Sequence, residues 1–547
     1  MAAETAAELL LTGSIRPSPE APATTALAVG GGRVLALGDD AERLATARTQ
    51  RVDLEGGCVL PAFRDGHVHP MWGGVGLSHA QVVDATSVDQ VLSIVRTYAE
   101  ARPELDWVQG KAYLGSLLPD GVGSAQLLDT AVRDRPVVLT SNDGHAVWVN
   151  SEALRRAGIE AGTREPALGQ IVRHADGSPV GTLREWGAMD LVTRLLPAAS
   201  DDEQLAGLLR GARHLTSVGL AFAQDAAVDA DDVLVYRRAV LEGLLPVRAA
   251  VALRAVPGQW AQVLASWVQL RVDTETLLVE AGRLDRLSVR TVKFFADGVI
   301  ESGTGALLDP YEDAPHSCGL PNWSAEELAE AVAAVDAAGF QAHIHAIGDA
   351  GVRMALDAVA HAQRENGDRD RRPVVAHTQV VHPDDLPRFA ELGVVANFEP
   401  IWAQLDATMT EQTLPRLGAE RGRQQYPIAG LQRRGTTLSF GSDWPVTSAA
   451  PLEGIAVALS RQTPDGQPAG GWTPHERVDL ASALAAYTTG VAQQCFGAPD
   501  TGRLVPGAPA DLVLLGEDPT DLPAADLAAA PVLGTWVGGQ RTFQAQA

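Results

Sequence analysis

Two histidines, His67 and His69, stand one residue apart directly after the apolar run 59–63 (VLPAF). In an extended chain, residues two apart point to the same side. Both imidazoles then face one way at a strand end, well placed to hold one metal ion. Alone this spacing says little in a chain with 13 histidines. Four further residues strengthen it. His345 follows the apolar run 340–344, His377 ends the run that begins at 374, and Asp443 follows 438–440 within GSDWP. Lys293 lies inside the run 289–295. Singly, each reads as a satisfied core group or a solvated tip. Together, at or near the C-terminal ends of separate strands, they read as a metal site. His343 shares a strand face with His345, so spacing does not choose between them.

Those side chains need a frame that brings several strand ends together. Apolar strand patterns are expected at 59–63, 217–225, 246–253, 288–296, 340–347, 373–378, 394–398 and 436–441. Helical spacing is expected between many of them, at 231–243, 259–270, 325–338, 350–366 and 383–392. Ser324 is expected to cap the helix that opens at 325, and Pro383 suits a helix start. Eight strands alternating with helices predict an α/β fold, a closed (β/α)8 barrel, over 59–502. The two ends lack that alternation. Segments 26–38, 510–515 and 535–543 read as strands, so 1–58 and 503–547 are expected to form one small β-sandwich domain from both termini. The stretch 73–200 is too long for one connection and is read as a subdomain inserted after the first barrel strand.

Composition removes several classes of function. The formal net charge is -25, from 43 Lys+Arg against 68 Asp+Glu, which disfavours nucleic acid and anionic membranes as partners. No apolar stretch approaches the ~20 residues of a membrane helix, and no signal peptide is visible at the N-terminus. Cys58, Cys318 and Cys495 lie far apart without CxxC spacing, which points to a reducing, cytoplasmic setting. The GGGRVLALG segment lacks a P-loop lysine, and no GxSxG elbow is present.

The stretches PAFRDGHVHP, SNDGHAVWVNSEAL, VKFFADGVIESGTGALLDPY, HAIGDAGVRMALDAV, AHTQVVHPDDLPRFAELGVVAN, GSDWPV and GRLVPGAPADLVLL resemble the amidohydrolase superfamily of metal-dependent hydrolases. More closely, they are similar to the amidohydrolase 3 group, which includes N-substituted formamide deformylases. The resemblance implies one or two divalent ions, most often Zn2+. His67, His69 and Asp443 would hold the more buried ion, and His345 and His377 the second. Lys293 would be carboxylated by CO2 and bridge them, since a carbamate offers two oxygen ligands where an ammonium offers none. The plainer alternative is a Lys293–Asp297 pair. The HAIGD pattern favours His345 over His343 as the ligand, leaving His343 behind it or facing substrate. The group is also expected to form homodimers.

The activity implied is cleavage of a C–N amide bond by a metal-activated hydroxide. Asp443 would take the proton from water and hand it to the leaving amine. His145, Trp148, Glu185, His343, Trp402 and Trp444 are the candidate contacts to a small-molecule substrate, with His145 also a candidate catalytic group. Capping, packing or surface roles compete for each. Asp225 is a further candidate acid beside the site, and Asp349 is either an N-cap or catalytic. Gly66, Thr378, the NFEP run and SGTG depart from the group's usual residues, and these positions are expected to face substrate. Two other functions stay open: hydrolysis of another linkage (a carbamate, cyclic amide, ester or deamination), and a non-catalytic regulatory or binding relative. An intact set of six candidate ligands counts against the second.

Overall fold

The computed structural model describes residues 6–142, 144–166, 168–197 and 199–546. Its centre is a ring of eight parallel strands in chain order: β1 (Phe63–Val68), β2 (Leu220–Val228), β3 (Arg248–Arg254), β4 (Leu287–Phe295), β5 (Gln341–Ala346), β6 (Val374–His377), β7 (Val395–Phe398) and β8 (Leu438–Phe440). Helices cover the outside. Strand residues such as Val292, Phe294, Ile344 and Phe398 share one core with helix residues such as Leu328, Val332 and Leu356. The ring is nearly closed. β8 and β1 share no ladder, but the Asp443 N–H donates to the His67 carbonyl at 2.7 Å and the His69 N–H to the Trp444 carbonyl at 2.8 Å. The segment after β8 therefore seals the barrel through Asp443 and Trp444.

The strands pack side chains inward in layers. Register pairs Thr291 with Gln341 and, two residues higher, Lys293 with His343. The lower layer is a polar network. Thr291 donates to Gln341 at 2.8 Å, Gln224 to Thr291 at 3.3 Å, and Gln494 to Gln224 at 2.7 Å. A barrel floor of hydrogen-bonded amides gives the buried polar layer above it a rigid support.

The first strand corrects the sequence reading. Residues 59–61 end a long strand, Gln50–Pro61, that pairs antiparallel with Leu512–Leu515. The barrel strand begins only at Phe63. A continuous buried apolar run carries no mark of the change from one sheet to the other, so periodicity could not locate it. The boundary expected at 58 thus falls inside a strand. That strand belongs to a seven-stranded sheet built from both ends of the chain, with Leu9–Ile15, Thr24–Gly30, Arg33–Leu37, Leu512–Leu515, Val532–Val537 and Gln540–Gln544. The sheet curls until Val34 and the segment before Leu512 exchange backbone hydrogen bonds, enclosing a core of Leu11, Leu27, Val34, Leu512 and Trp536.

Between β1 and β2 the chain forms a six-stranded sheet with its own apolar clusters. Helix α1 (Pro70–Gly76) leads into it and α2 (Asp201–Ser217) returns, opened by a Ser200–Glu203 capping box. Other helices match expectation, including Ser324 accepting from the Glu327 N–H at 3.1 Å. The expected helix at 383–392 instead splits into a 3-10 turn, Pro383–Asp385, and a short helix, Leu386–Glu391. Asp349 is not an N-cap: Gly348 holds that place, and the Asp349 carboxylate accepts from the Leu308 N–H at 2.9 Å.

Candidate metal centre

The strand ends converge. His69 Nε2 lies 3.1 Å from Asp443 Oδ1, His67 Nε2 lies 3.7 Å from the same oxygen, and Lys293 Nζ lies 3.2 Å from His67 Nε2. The rings of His67 and His377 are 4.6 Å apart, and those of His345 and His377 4.5 Å. All six candidate ligands are brought to one place. Among the described residues, His67, His69 and Asp443 form one group able to hold an ion, and His67, His377 and Glu399 form a second.

Each histidine has one nitrogen anchored and the other left toward the centre. His67 Nδ1 is 3.1 Å from His343 Nε2, His69 Nδ1 is 3.3 Å from Asp225 Oδ1, and His345 Nε2 is 3.0 Å from the Gly298 carbonyl. His377 Nδ1 is 2.8 Å from Glu399 Oε2. The nitrogens not taken up by these partners are Nε2 of His67, His69 and His377, and Nδ1 of His345. Such outer partners fix tautomer and ring orientation at metal sites. Tyr236 in turn donates to Asp225 Oδ2 at 2.7 Å, so that anchor is itself held.

The charge states suit a cation. Burial holds His67 and His345 well below the ordinary imidazole value and pushes His377 down to about 3. These rings are neutral, as metal-ligating imidazoles must be. Burial also pushes Lys293 down to about 7, freeing its amine near neutrality. His69 is opposite: burial lowers it, but Asp225 and Asp443 outweigh that and raise it to about 9. Two buried carboxylate oxygens, Asp443 Oδ1 and Glu399 Oε1, make no well-formed hydrogen bond. Burial pushes Glu399 well above the ordinary carboxylate value, and two carboxyl groups packed this close favour a cation between them. The mixed N/O donor set suits zinc and related divalent ions.

Backbone strain gathers here as well. His377, Thr378 and Asp443 adopt positive φ of 70°, 45° and 52°. Non-glycine residues reach that region at a cost of about 1–3 kcal/mol each and stay there only when their surroundings fix them. For Asp443 the surroundings are visible. Asp65 accepts from the His67 N–H at 3.0 Å and the Ser442 N–H at 3.2 Å, and its other oxygen accepts from the Ser442 hydroxyl at 2.6 Å. One buried carboxylate thus ties β1 to the Asp443 turn.

Above the centre lies a cavity of about 410 Å³, with His67, His69, His345, His377 and Asp443 at its base. Trp72, Trp186, Phe295 and Trp402 form aromatic walls. Trp402 stacks on His377 at 5.3 Å with the rings 5° from parallel. His145 reaches the cavity from the inserted subdomain, its Nδ1 3.0 Å from Glu185 Oε2, and Glu185 also accepts from the Thr304 hydroxyl at 2.6 Å.

Three expected substrate contacts are corrected. Trp148 is buried in the inserted subdomain, where its ring meets Tyr113 and its Nε1 donates to the Ser124 carbonyl at 2.8 Å. Trp444 turns from the cavity to pack against His214, ring centres 4.8 Å apart and 33° from parallel, close over Gly73. His343 lies one layer below His345, level with Lys293, and supports His67 rather than facing substrate. Glu185 reaches the cavity only through His145. The Lys293–Asp297 pairing also fails: Asp297 instead accepts from the N–H groups of Ala306, Ile347 and Gly348. Sequence reasoning placed Glu399, in the NFEP run, toward substrate rather than behind His377, and missed Asp65. Glu399 follows β7 as His377 ends β6, and Asp65 stands two before His67, so strand-end position was the available signal.

The Amidohydrolase family model matches residues 50–543. The chain is 30% identical to Protein LONG AFTER FAR-RED 3 of Arabidopsis thaliana, over 98% of this chain and 92% of that protein. It is 27% identical to an N-substituted formamide deformylase of Arthrobacter pascens, over 95% of each. A solved metal-dependent hydrolase from Pyrococcus horikoshii OT3 shares the fold with a TM-score of 0.73 at 22% identity, over 94% of this chain and 99% of that one. Fold and site together define the class, an eight-stranded barrel of the amidohydrolase kind with a candidate metal centre at its strand ends. The chain belongs to the amidohydrolase family.

Proposed function

We propose that this protein hydrolyses the C–N bond of N-substituted amides, with N-substituted formamides the first class to test. The observation that carries the reading is the meeting of His67, His69 and Asp443 at the base of an aromatic-walled cavity, with Lys293 buried against His67. The similarity to the Arthrobacter pascens deformylase supports the choice of substrate. His67, His69 and Asp443 would hold a first Zn2+, His345 and His377 a second, with Lys293 carboxylated between them. Bound there, a divalent ion supplies a Lewis acid for the amide carbonyl and lowers the pKa of water toward neutrality.

The chain's own residues then divide the work. Asp443 Oδ1 takes a proton from the attacking water and passes it to the departing amine nitrogen. Burial raises this carboxyl, but His69, His377 and Lys293 outweigh it and hold Asp443 below the usual carboxylate range, so it starts ionised. His145, fixed by Glu185, donates to the carbonyl oxygen as charge develops on it. Trp72, Trp186 and Trp402 seat the N-substituent and exclude water.

The test is formate release from N-benzylformamide by the zinc-loaded protein, with Asp443→Asn as control. Release that the variant abolishes, even with metal retained, is expected. Equal turnover by a metal-replete Asp443→Asn protein would remove Asp443 from the mechanism. No release by the wild type would move the reaction to longer acyl amides, carbamates or cyclic substrates.

A further inference from the structure

Beyond the six ligands expected from sequence, the centre holds a carboxylate from β7. Glu399 follows Phe398, the last residue of that strand, and is fully buried. Its Oε2 lies 2.8 Å from His377 Nδ1, and its Oε1, 3.9 Å from His67 Nδ1, makes no hydrogen bond. A neutral amide at this position would orient His377 as well, because one acceptor oxygen is enough to fix a tautomer. Burial and the nearby Asp443 push this carboxyl well above the ordinary carboxylate value, so an ionised carboxylate here, with one oxygen unsatisfied, is costly. That arrangement persists where a positive charge compensates it. His377 offers the path: with Nδ1–H given to an anion, Nε2 becomes a stronger donor to a cation on the far side of the ring.

We infer that Glu399 is a positioning residue that commits His377 Nε2 to a second divalent ion and supplies the charge that holds this ion. The inference rests on the metal-centre reading above. It adds that the two sites differ in support: the first ion depends on Asp443 directly, whereas the second depends on Glu399 through His377.

The experiment is a competitive titration of the metal-free full chain with Zn2+, in the presence of bicarbonate, using a chromophoric chelator. Wild type, Glu399→Gln and His377→Asn are compared, with thermal melting as a check on folding. Glutamine keeps the acceptor oxygen and the side-chain volume but removes the charge. The expected result is two ions in the wild type and, in Glu399→Gln, a first ion of unchanged affinity and a second about 10–100-fold weaker. His377→Asn should lose the same ion. Wild-type affinity at both sites in Glu399→Gln would overturn the inference while leaving the metal centre intact. Loss of both ions in Glu399→Gln would also overturn it, since the effect would not be selective. A wild type that binds no Zn2+ would overturn the metal-centre reading itself, and this inference with it.

Discussion

At the scale of single residues, the site is a set of histidines each held by its other nitrogen. Asp225 anchors His69 and is itself held by Tyr236. Asp225→Asn keeps the shape and removes the charge, so Zn2+ affinity should fall about 10–100-fold with the fold intact. Equilibrium dialysis checks this, and unchanged affinity would show that Asp225 only fills space. Lys293 adds a pH dependence. Its amine is depressed from 10.5 to about 7 by burial. It is therefore protonated below that value and neutral above it, and CO2 adds only to the neutral amine. The gain in metal affinity from added bicarbonate should be small near pH 6 and rise to a plateau by about pH 8. Lys293→Met should show no such gain. A bicarbonate effect that is flat with pH, or that survives in Lys293→Met, contradicts carboxylation. At this scale the sequence pointed to His67, His69, Lys293, His345, His377 and Asp443 by type and place, and offered Asp225, Glu185 and His343 as groups behind them. Which ring each of these holds was not legible. Glu399 and His343 meet their partners only through barrel register, which one sequence does not contain.

At the scale of elements, the ligands are placed by two close backbone approaches. Helix α1 begins at Pro70, immediately after His69, and crosses α2 through glycines. A Cβ on Gly211 would come within 2.0 Å of the Pro70 carbonyl oxygen, and one on Gly74 within 1.9 Å of the Gly207 carbonyl oxygen. The obstacle is backbone, so no side chain can give way. Gly211→Ala should cost more than the about 1–3 kcal/mol of ordinary overpacking and displace His69 through Pro70. Thermal melting and metal affinity should fall together, and a variant unchanged in both would show that the crossing does not position the site. The second approach is the Asp65 tie between β1 and the turn that carries Asp443. Strand and helix alternation was readable from apolar runs for seven of the eight barrel strands. The first was displaced because the apolar run 59–63 crosses the break between two sheets, while most of the barrel strand, FRDGHV at 63–68, has no apolar pattern.

At the scale of the molecule, the barrel supplies the ligands and the inserted subdomain supplies part of the cavity, including His145. Barrel and terminal sheet are joined by Arg248, which donates to Asp511 at 2.9 and 3.2 Å. Among the described residues no helix is long and apolar enough to cross a membrane. Barrel, insertion and paired termini were all legible as segments, because composition and alternation change between them. Which faces of the insertion meet the cavity was not. Trp148 and His145 lie three residues apart in one motif, yet one is core and the other reaches the site. The account stands or falls on the metal. The most direct measurement is elemental analysis of the purified full-length protein beside a His67→Asn/His69→Asn variant, after both are dialysed against zinc-containing and then metal-free buffer. At least one tightly held ion per chain in the wild type, and a large loss of it in the folded variant, is the predicted result. Equal metal in both proteins, or none in the wild type, would contradict the assignment of these strand ends as a metal centre.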